Sequence, residues 1–260
     1  MVRIVIFVGM LREEKVLNKK QLIVAWVIVL IIQFSIPALA YFENYPPYKF
    51  KNGAPNHLKL EALVDFDKAE YKSKDGQVFV KFKETPDSLD FIVRDGNITL
   101  VQLKDKKAGL PLPSAVYKID LDRNGLEDFI ILYSYRGSGL AASEDRMEIY
   151  LKKNDKEYQK ISYDTMSAMI EDFVDLNTDG KYEAIITNFY SGLKHNYFTY
   201  NIYEIKDSGL FNADSKFKGF PKFVWITDKP NDKDTTHLTK EERIDHTEKK
   251  DKSISYEIIK

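Results

Sequence analysis

Asp120-Leu-Asp122-Arg-Asn124-Gly125-Leu-Glu127-Asp128-Phe-Ile-Ile-Leu-Tyr-Ser-Tyr135 returns 55 positions later as Asp175-Leu-Asn177-Thr-Asp179-Gly180-Lys-Tyr-Glu183-Ala-Ile-Ile-Thr-Asn-Phe-Tyr190. Each copy opens with oxygen-bearing side chains at positions 1, 3, 5 and 9 and a glycine at position 6. Those oxygens converge on one point only if the backbone curls tightly, and glycine permits the curl by adopting a conformation that other residues avoid. Three carboxylates and one amide per loop form a hard, anionic donor set that suits Ca²⁺ and suits zinc or copper poorly. The candidate metal ligands are therefore Asp120, Asp122, Asn124 and Asp128 in the first loop and Asp175, Asn177, Asp179 and Glu183 in the second, for two ions.

A calcium-binding helix-loop-helix needs a bidentate Glu at position 12, between two helices. Position 12 here is Ile131 in one copy and Ile186 in the other. The runs after both glycines are rich in β-branched and aromatic residues, which predicts strands. Asp128 and Glu183 then stand where a loop becomes a strand. The remaining chelation is assigned to backbone carbonyls at Leu126 and Lys181 and to water.

The correspondence extends past the loops. At the same offset Ile119 matches Val174, Leu121 matches Leu176, Ile130 and Ile131 match Ile185 and Ile186, and Gly137 matches Gly192. This is an internal repeat. One unit runs through a leading hydrophobic residue, an ion loop, a strand ending in Tyr, a Gly turn and a second strand, giving units near 116–160 and 171–206. A further step back reaches Val64 and Asp65-Phe-Asp67, but Ala69 and Glu70 replace the third oxygen and the glycine. A degenerate third unit and a chance likeness both stay open there.

Over roughly residues 116 to 206 the chain resembles the FG-GAP or VCBS class of repeats, known from integrin-type β-propellers and many secreted bacterial proteins. In that class the loop joins two strands of a blade and holds Ca²⁺, so the resemblance implies the same ligand roles for the eight residues named above. The Phe-Gly and Gly-Ala-Pro signatures of the class are missing. The roughly 220 residues beyond Ala40 hold only four units of this length, whereas full propellers have four to eight blades. The expected fold is all-β and antiparallel, with β-propeller-like blades in a small or incomplete propeller.

Lys15, Lys19 and Lys20 precede the apolar run Leu22 to Ile32, and Pro37-Ala38-Leu39-Ala40 supplies small residues for signal peptidase. Residues 1–40 are read as an export signal, with a retained anchor as the alternative and Met10 as a rival start to Met1. A periplasmic or secreted location follows, with membrane attachment only if the leader is uncleaved. The chain has no cysteine, which excludes disulfides, thiolate metal sites and a lipid-bearing Cys. An exported fold without sulfur bridges needs another source of rigidity, and bound calcium supplies one. Formal charge is −1 from 39 basic and 40 acidic side chains, so no overall field favours nucleic acid.

Residues 41–57 read as an extended lead-in to a domain over 58–230. Gln77 to Lys83 alternates as a half-buried strand does, and Leu89 to Val93 and Ile98 to Leu103 complete a meander. Thr165 to Val174 carries helical spacing where the repeat calls for a short strand, and a short helix or turn is preferred. Phe220 to Ile226 is a last apolar segment. Residues 231–260 form a charged C-terminal tail, with a solvated helix or frayed end over Glu241 to Lys252.

No phosphate loop, His-Glu-x-x-His, Gly-x-Ser-x-Gly or cysteine nucleophile occurs. His57, His195, His237 and His246 lack ligand spacing. The pairs Glu144/Asp145 and Glu171/Asp172 are poor glycosidase pairs, because adjacent strand residues face opposite ways. The expectation is an exported, non-enzymatic calcium-binding protein that contacts another protein or a glycan. A periplasmic inhibitor or immunity-type protein against a peptidoglycan hydrolase is the alternative, using the turns Arg136 to Gly139 and Lys194 to Tyr197. A glycan hydrolase is the residual one.

Overall fold

The computed structural model describes residues 56–65, 68–85, 88–104, 111–135, 144–191, 196–206, 209–217, 222–225 and 240–260. The expected export signal over residues 1–40, residues 41–55 of the expected lead-in, Asp67 and the turns holding Arg136 and His195 lie outside them. Among the described residues the architecture is all-β and antiparallel, in three open sheets.

The strands are β1 (Asn56–His57), β2 (Glu70–Lys72), β3 (Val78–Glu84), β4 (Leu89–Asp95), β5 (Ile98–Leu103), β6 (Leu112–Ile119), β7 (Asp128–Ser134), β8 (Glu144–Asn154), β9 (Glu157–Met166), β10 (Phe173–Asp175), β11 (Glu183–Ser191), β12 (Asn196–Lys206), β13 (Gly209–Asn212), β14 (Lys222–Trp225) and β15 (Ser255–Ile259). The first sheet has the order β2-β3-β4-β5, the second β6-β7-β8-β9 with β15 beyond β9, and the third β10-β11-β12-β13 with β1 beside β10 and β14 beside β12. Each sheet is thus a four-stranded meander of consecutive strands, with outlying segments added at the edges of the second and third. The expected meander over 77–103 is the first sheet, and the two repeat units open the second and third.

The middle strand explains its own sequence. Phe129, Ile131 and Tyr133 of β7 join a core with Val80, Phe91 and Val93 of the first sheet, while Ile130 and Leu132 join a core with Phe173, Ala184 and Ile186 of the third. A strand covered on both faces reads as a continuous hydrophobic run rather than an alternating one. Phe129, Ile130 and Ile131 are accordingly no more than 1% exposed.

Residues 56–65 run along the leading edges of two sheets. Leu58 N–H donates to Phe173 O (2.8 Å), Leu63 N–H to Val116 O (2.8 Å), and Val116 N–H to Val64 O (2.9 Å). Backbone groups that an edge strand leaves open are satisfied in this way. Val64 thus forms a bridge to Val116 of β6.

Thr165 to Val174 divides three ways. Thr165 and Met166 finish β9, Ile170–Asp172 forms one 3₁₀ turn, and Phe173 begins β10. Glu171 and Asp172 therefore belong to a 3₁₀ turn and not to a strand.

The C-terminal region carries the helix expected over Glu241 to Lys252, docked rather than wholly solvated. Helix α1 (Lys240–Ser253) packs by one side, and β15 pairs with β9 from Ser255 opposite Ser162 to Ile259 opposite Tyr158. Lys250 is buried, and its Nζ donates to Asp164 O (2.5 Å) of β9 and Asn188 Oδ1 (2.9 Å) of β11. His246 Nε2 meets Thr199 Oγ1 at 2.8 Å, and Tyr203 OH donates to Asp251 Oδ1 at 2.7 Å. The charge-rich composition hid this docking because only a few residues of the helix carry it. No described helix is long and apolar enough to cross a membrane.

Candidate metal centre

Both loops connect the first two strands of their meanders, β6 to β7 and β10 to β11, and four backbone-to-side-chain hydrogen bonds recur at equivalent positions. Gly125 N–H donates to Asp120 Oδ2 at 3.0 Å, and Gly180 N–H to Asp175 Oδ2 at 3.0 Å. Asn124 N–H donates to Asp122 Oδ1 (3.2 Å) as Asp179 N–H does to Asn177 Oδ1 (2.9 Å). Leu126 N–H donates to Asn124 Oδ1 (2.7 Å) as Lys181 N–H does to Asp179 Oδ1 (2.8 Å). Leu121 N–H donates to Asp128 Oδ2 (2.8 Å) as Leu176 N–H does to Glu183 Oε2 (2.9 Å). Four side chains per loop thereby turn inward on the backbone that carries them.

The dihedral angles repeat too. Gly125 has φ +87° and Gly180 +83°, as position 6 requires, but position 4 is also left-handed, at +61° for both Arg123 and Thr178. A β-branched residue rarely accepts that conformation. The coil is therefore held against a local preference by the side-chain oxygens around it. Nothing in the residue types at position 4 signals this.

Within the first loop, one carboxylate oxygen from each of Asp120, Asp122 and Asp128 falls within 4.8 Å of the others, the one such group among the described residues. Asp175, Asp179 and Glu183 share the backbone turn of the second loop without an equally tight meeting of carboxylates. Asn124 completes the first turn, its Nδ2 donating to Lys152 O at 2.9 Å. Leu126 and Lys181, at position 7, have their N–H groups used by the position-5 side chains.

One oxygen in each loop has no partner. Asp120 Oδ1 and Asp175 Oδ1, the same atom in each copy, are buried without a hydrogen bond. Asp175 is only 5% exposed, and its other oxygen already faces Gly180. Buried acceptors without donors are costly, about 1–3 kcal/mol each. Burial also pushes Asp128 and Glu183 up to about 7, even though backbone N–H groups of Lys152 and Leu121, and of Leu176, favour their charged forms. Acid side chains that are desolvated, clustered and partly unpartnered are poised to accept a cation.

Elsewhere, the described histidines serve the fold. His57 Nδ1 lies 2.9 Å from Glu171 O, and His246 contacts Thr199. A groove of about 450 Å³ beside β9 and β15 is lined by Arg146, Glu148, Lys160, Asp164 and Glu257. Its charges are largely spent on each other: Arg146 pairs with Asp164 (3.0 Å) and Lys160 with Glu148 (2.9 Å), and Glu148 also accepts from Tyr133 OH (2.9 Å) and Tyr150 OH (2.7 Å). Sequence reasoning missed this network, because its members meet only through cross-strand register. Compared with known proteins, the chain matches no family model, no curated protein and no solved structure.

Proposed function

We propose that the protein is an exported, non-enzymatic calcium-binding β-repeat protein, in which two Ca²⁺ ions rigidify the turns into β7 and β11 and so hold a surface for a protein or glycan partner. The observation that carries this reading is the duplicated inward turn of oxygens, with the same carboxylate oxygen left unpartnered at position 1 of each copy. Asp120, Asp122, Asn124 and Asp128 would hold one ion and Asp175, Asn177, Asp179 and Glu183 the other, with backbone carbonyls at Leu126 and Lys181 and water completing the shells. An ion there would supply the positive charge that the clustered carboxylates lack.

A propeller-like arrangement of the FG-GAP or VCBS kind is the finer part of the same proposal. Support comes from three consecutive four-stranded meanders whose neighbours share apolar cores in chain order, and from ion loops in equivalent places in two of them. Where external calcium is near millimolar, a site of about 10⁻⁴ M is filled and stabilises the fold by roughly 1 to 2 kcal/mol. Calcium titration by calorimetry, paired with melting in chelator, tests the reading. Two sites are expected, one lost in Asp120→Ala and the other in Asp175→Ala, with a lower melting temperature in chelator. Neither heat of binding nor a melting shift at millimolar Ca²⁺ would refute it.

A further inference from the structure

The two loops touch through one side chain. A methyl group built on Gly180 would lie 3.0 Å from Arg123 Nη1 and 3.1 Å from Nη2, so the guanidinium of the first loop abuts the glycine of the second. At Gly125, the equivalent position of the first loop, such a methyl meets nothing within 4 Å. The approach is one-sided. It joins position 4 of one ion loop to position 6 of the other.

Arg123 is aimed by its own loop. Its backbone is left-handed at φ +61°, between Asp122 and Asn124, whose side chains hold the N–H groups of Asn124 and Leu126. Gly180, the residue it approaches, donates its N–H to Asp175 Oδ2 at 3.0 Å, at the corner where the second loop closes. A full positive charge therefore lies against the position-6 glycine of the second loop, and among the described residues no counterpart lies over Gly125. The first loop also gathers three carboxylates within 4.8 Å, which the second does not.

We infer that Arg123 is a built-in cation of the second loop, which lowers that loop's affinity for a divalent ion and makes the Asp120 loop fill before the Asp175 loop. The inference rests on the reading of both loops as Ca²⁺ sites. A guanidinium held near a bound dication repels it and weakens its binding, and added salt screens the effect. The second ion then responds to a higher calcium concentration than the first. One chain would report two levels of the same ion.

The test is calcium titration by calorimetry of the full chain, as wild type, Arg123→Gln and Arg123→Lys, at low and high ionic strength. Asp122→Ala and Asn177→Ala assign the heats to the first and second loops. Two unequal sites are expected in the wild type, the weaker belonging to the second loop. Arg123→Gln tightens the weaker site several-fold at low salt, changes the tighter one by less than about two-fold, and loses most of its effect at high salt. Arg123→Lys stays near wild type. If Arg123→Gln leaves the second site unchanged or weakens it, the guanidinium acts as a brace and the inference falls while both Ca²⁺ sites stand. If the wild type shows no calcium heat, the loop reading itself falls, a result distinct from the first.

Discussion

In chelator the protein should show the reverse of the usual direction of pH dependence. Carboxylates in folded proteins commonly titrate low and lose their stabilising effect in acid, whereas burial pushes Asp128 from 3.8 and Glu183 from 4.5 up to about 7. The metal-free native state therefore holds protons that the unfolded chain has released between about pH 4 and 7. Stability falls with rising pH wherever the native state binds more protons. Every tenfold gain in proton affinity is worth about 1.4 kcal/mol, which sets an upper bound of about 4 kcal/mol for Asp128 and about 3 kcal/mol for Glu183. Solvent at the loop mouth, where Asn124 and Asp179 are exposed, screens and so reduces both. A combined loss of about 3 kcal/mol between pH 5 and 8 is expected, or a fall of about 1 M in the urea midpoint. The assay is urea unfolding in chelator at pH 5, 6, 7 and 8, repeated in millimolar Ca²⁺, which neutralises the same carboxylates and should flatten or invert the trend. Asp128→Asn with Glu183→Gln isolates the two groups from other titrating residues. A chelator-treated midpoint that is flat or rises from pH 5 to 8, or a slope unchanged in the double variant, would refute the reasoning.

Alanine at Gly125 and at Gly180 forces a side chain into the left-handed region in both cases, at about 1–2 kcal/mol. Only Gly180→Ala also displaces Arg123, so thermal melts should show a larger loss there, and Arg123→Ala added to it should bring the loss down to that of Gly125→Ala. Lys250 is pulled down to about 8 by burial, so its penalty is present in full below that pH and is relieved as pH climbs from about 8 to 10.5. Urea midpoints should rise over that window in the wild type, and Lys250→Met should abolish the rise.

The two acidic loops were legible because their chemistry is local. A fixed spacing of oxygens around a glycine sets its own turn, and the position-9 carboxylate at the head of a β-rich run marks the loop-to-strand junction found at Asp128 and Glu183. The meander over Val78 to Leu103 was legible through alternation. Position 4 was not, since Arg and Thr carry no preference for φ +61° and are placed there by their neighbours' hydrogen bonds. The C-terminal helix was legible but its docking was not, because composition averages over its faces, while docking depends on a few side chains such as His246 and Lys250.

By itself, then, the amino-acid order determined an antiparallel β architecture, a repeat 55 residues long and eight side chains suited to a cation, because periodicity and turn chemistry act between near neighbours. Tertiary structure alone decided that Arg123 meets Gly180, that β15 closes onto β9, and that Asp120 and Asp175 each keep one oxygen buried and unpartnered. Those facts depend on how segments distant in the chain come together, which is set by the sum of many weak contacts that no short stretch of sequence contains.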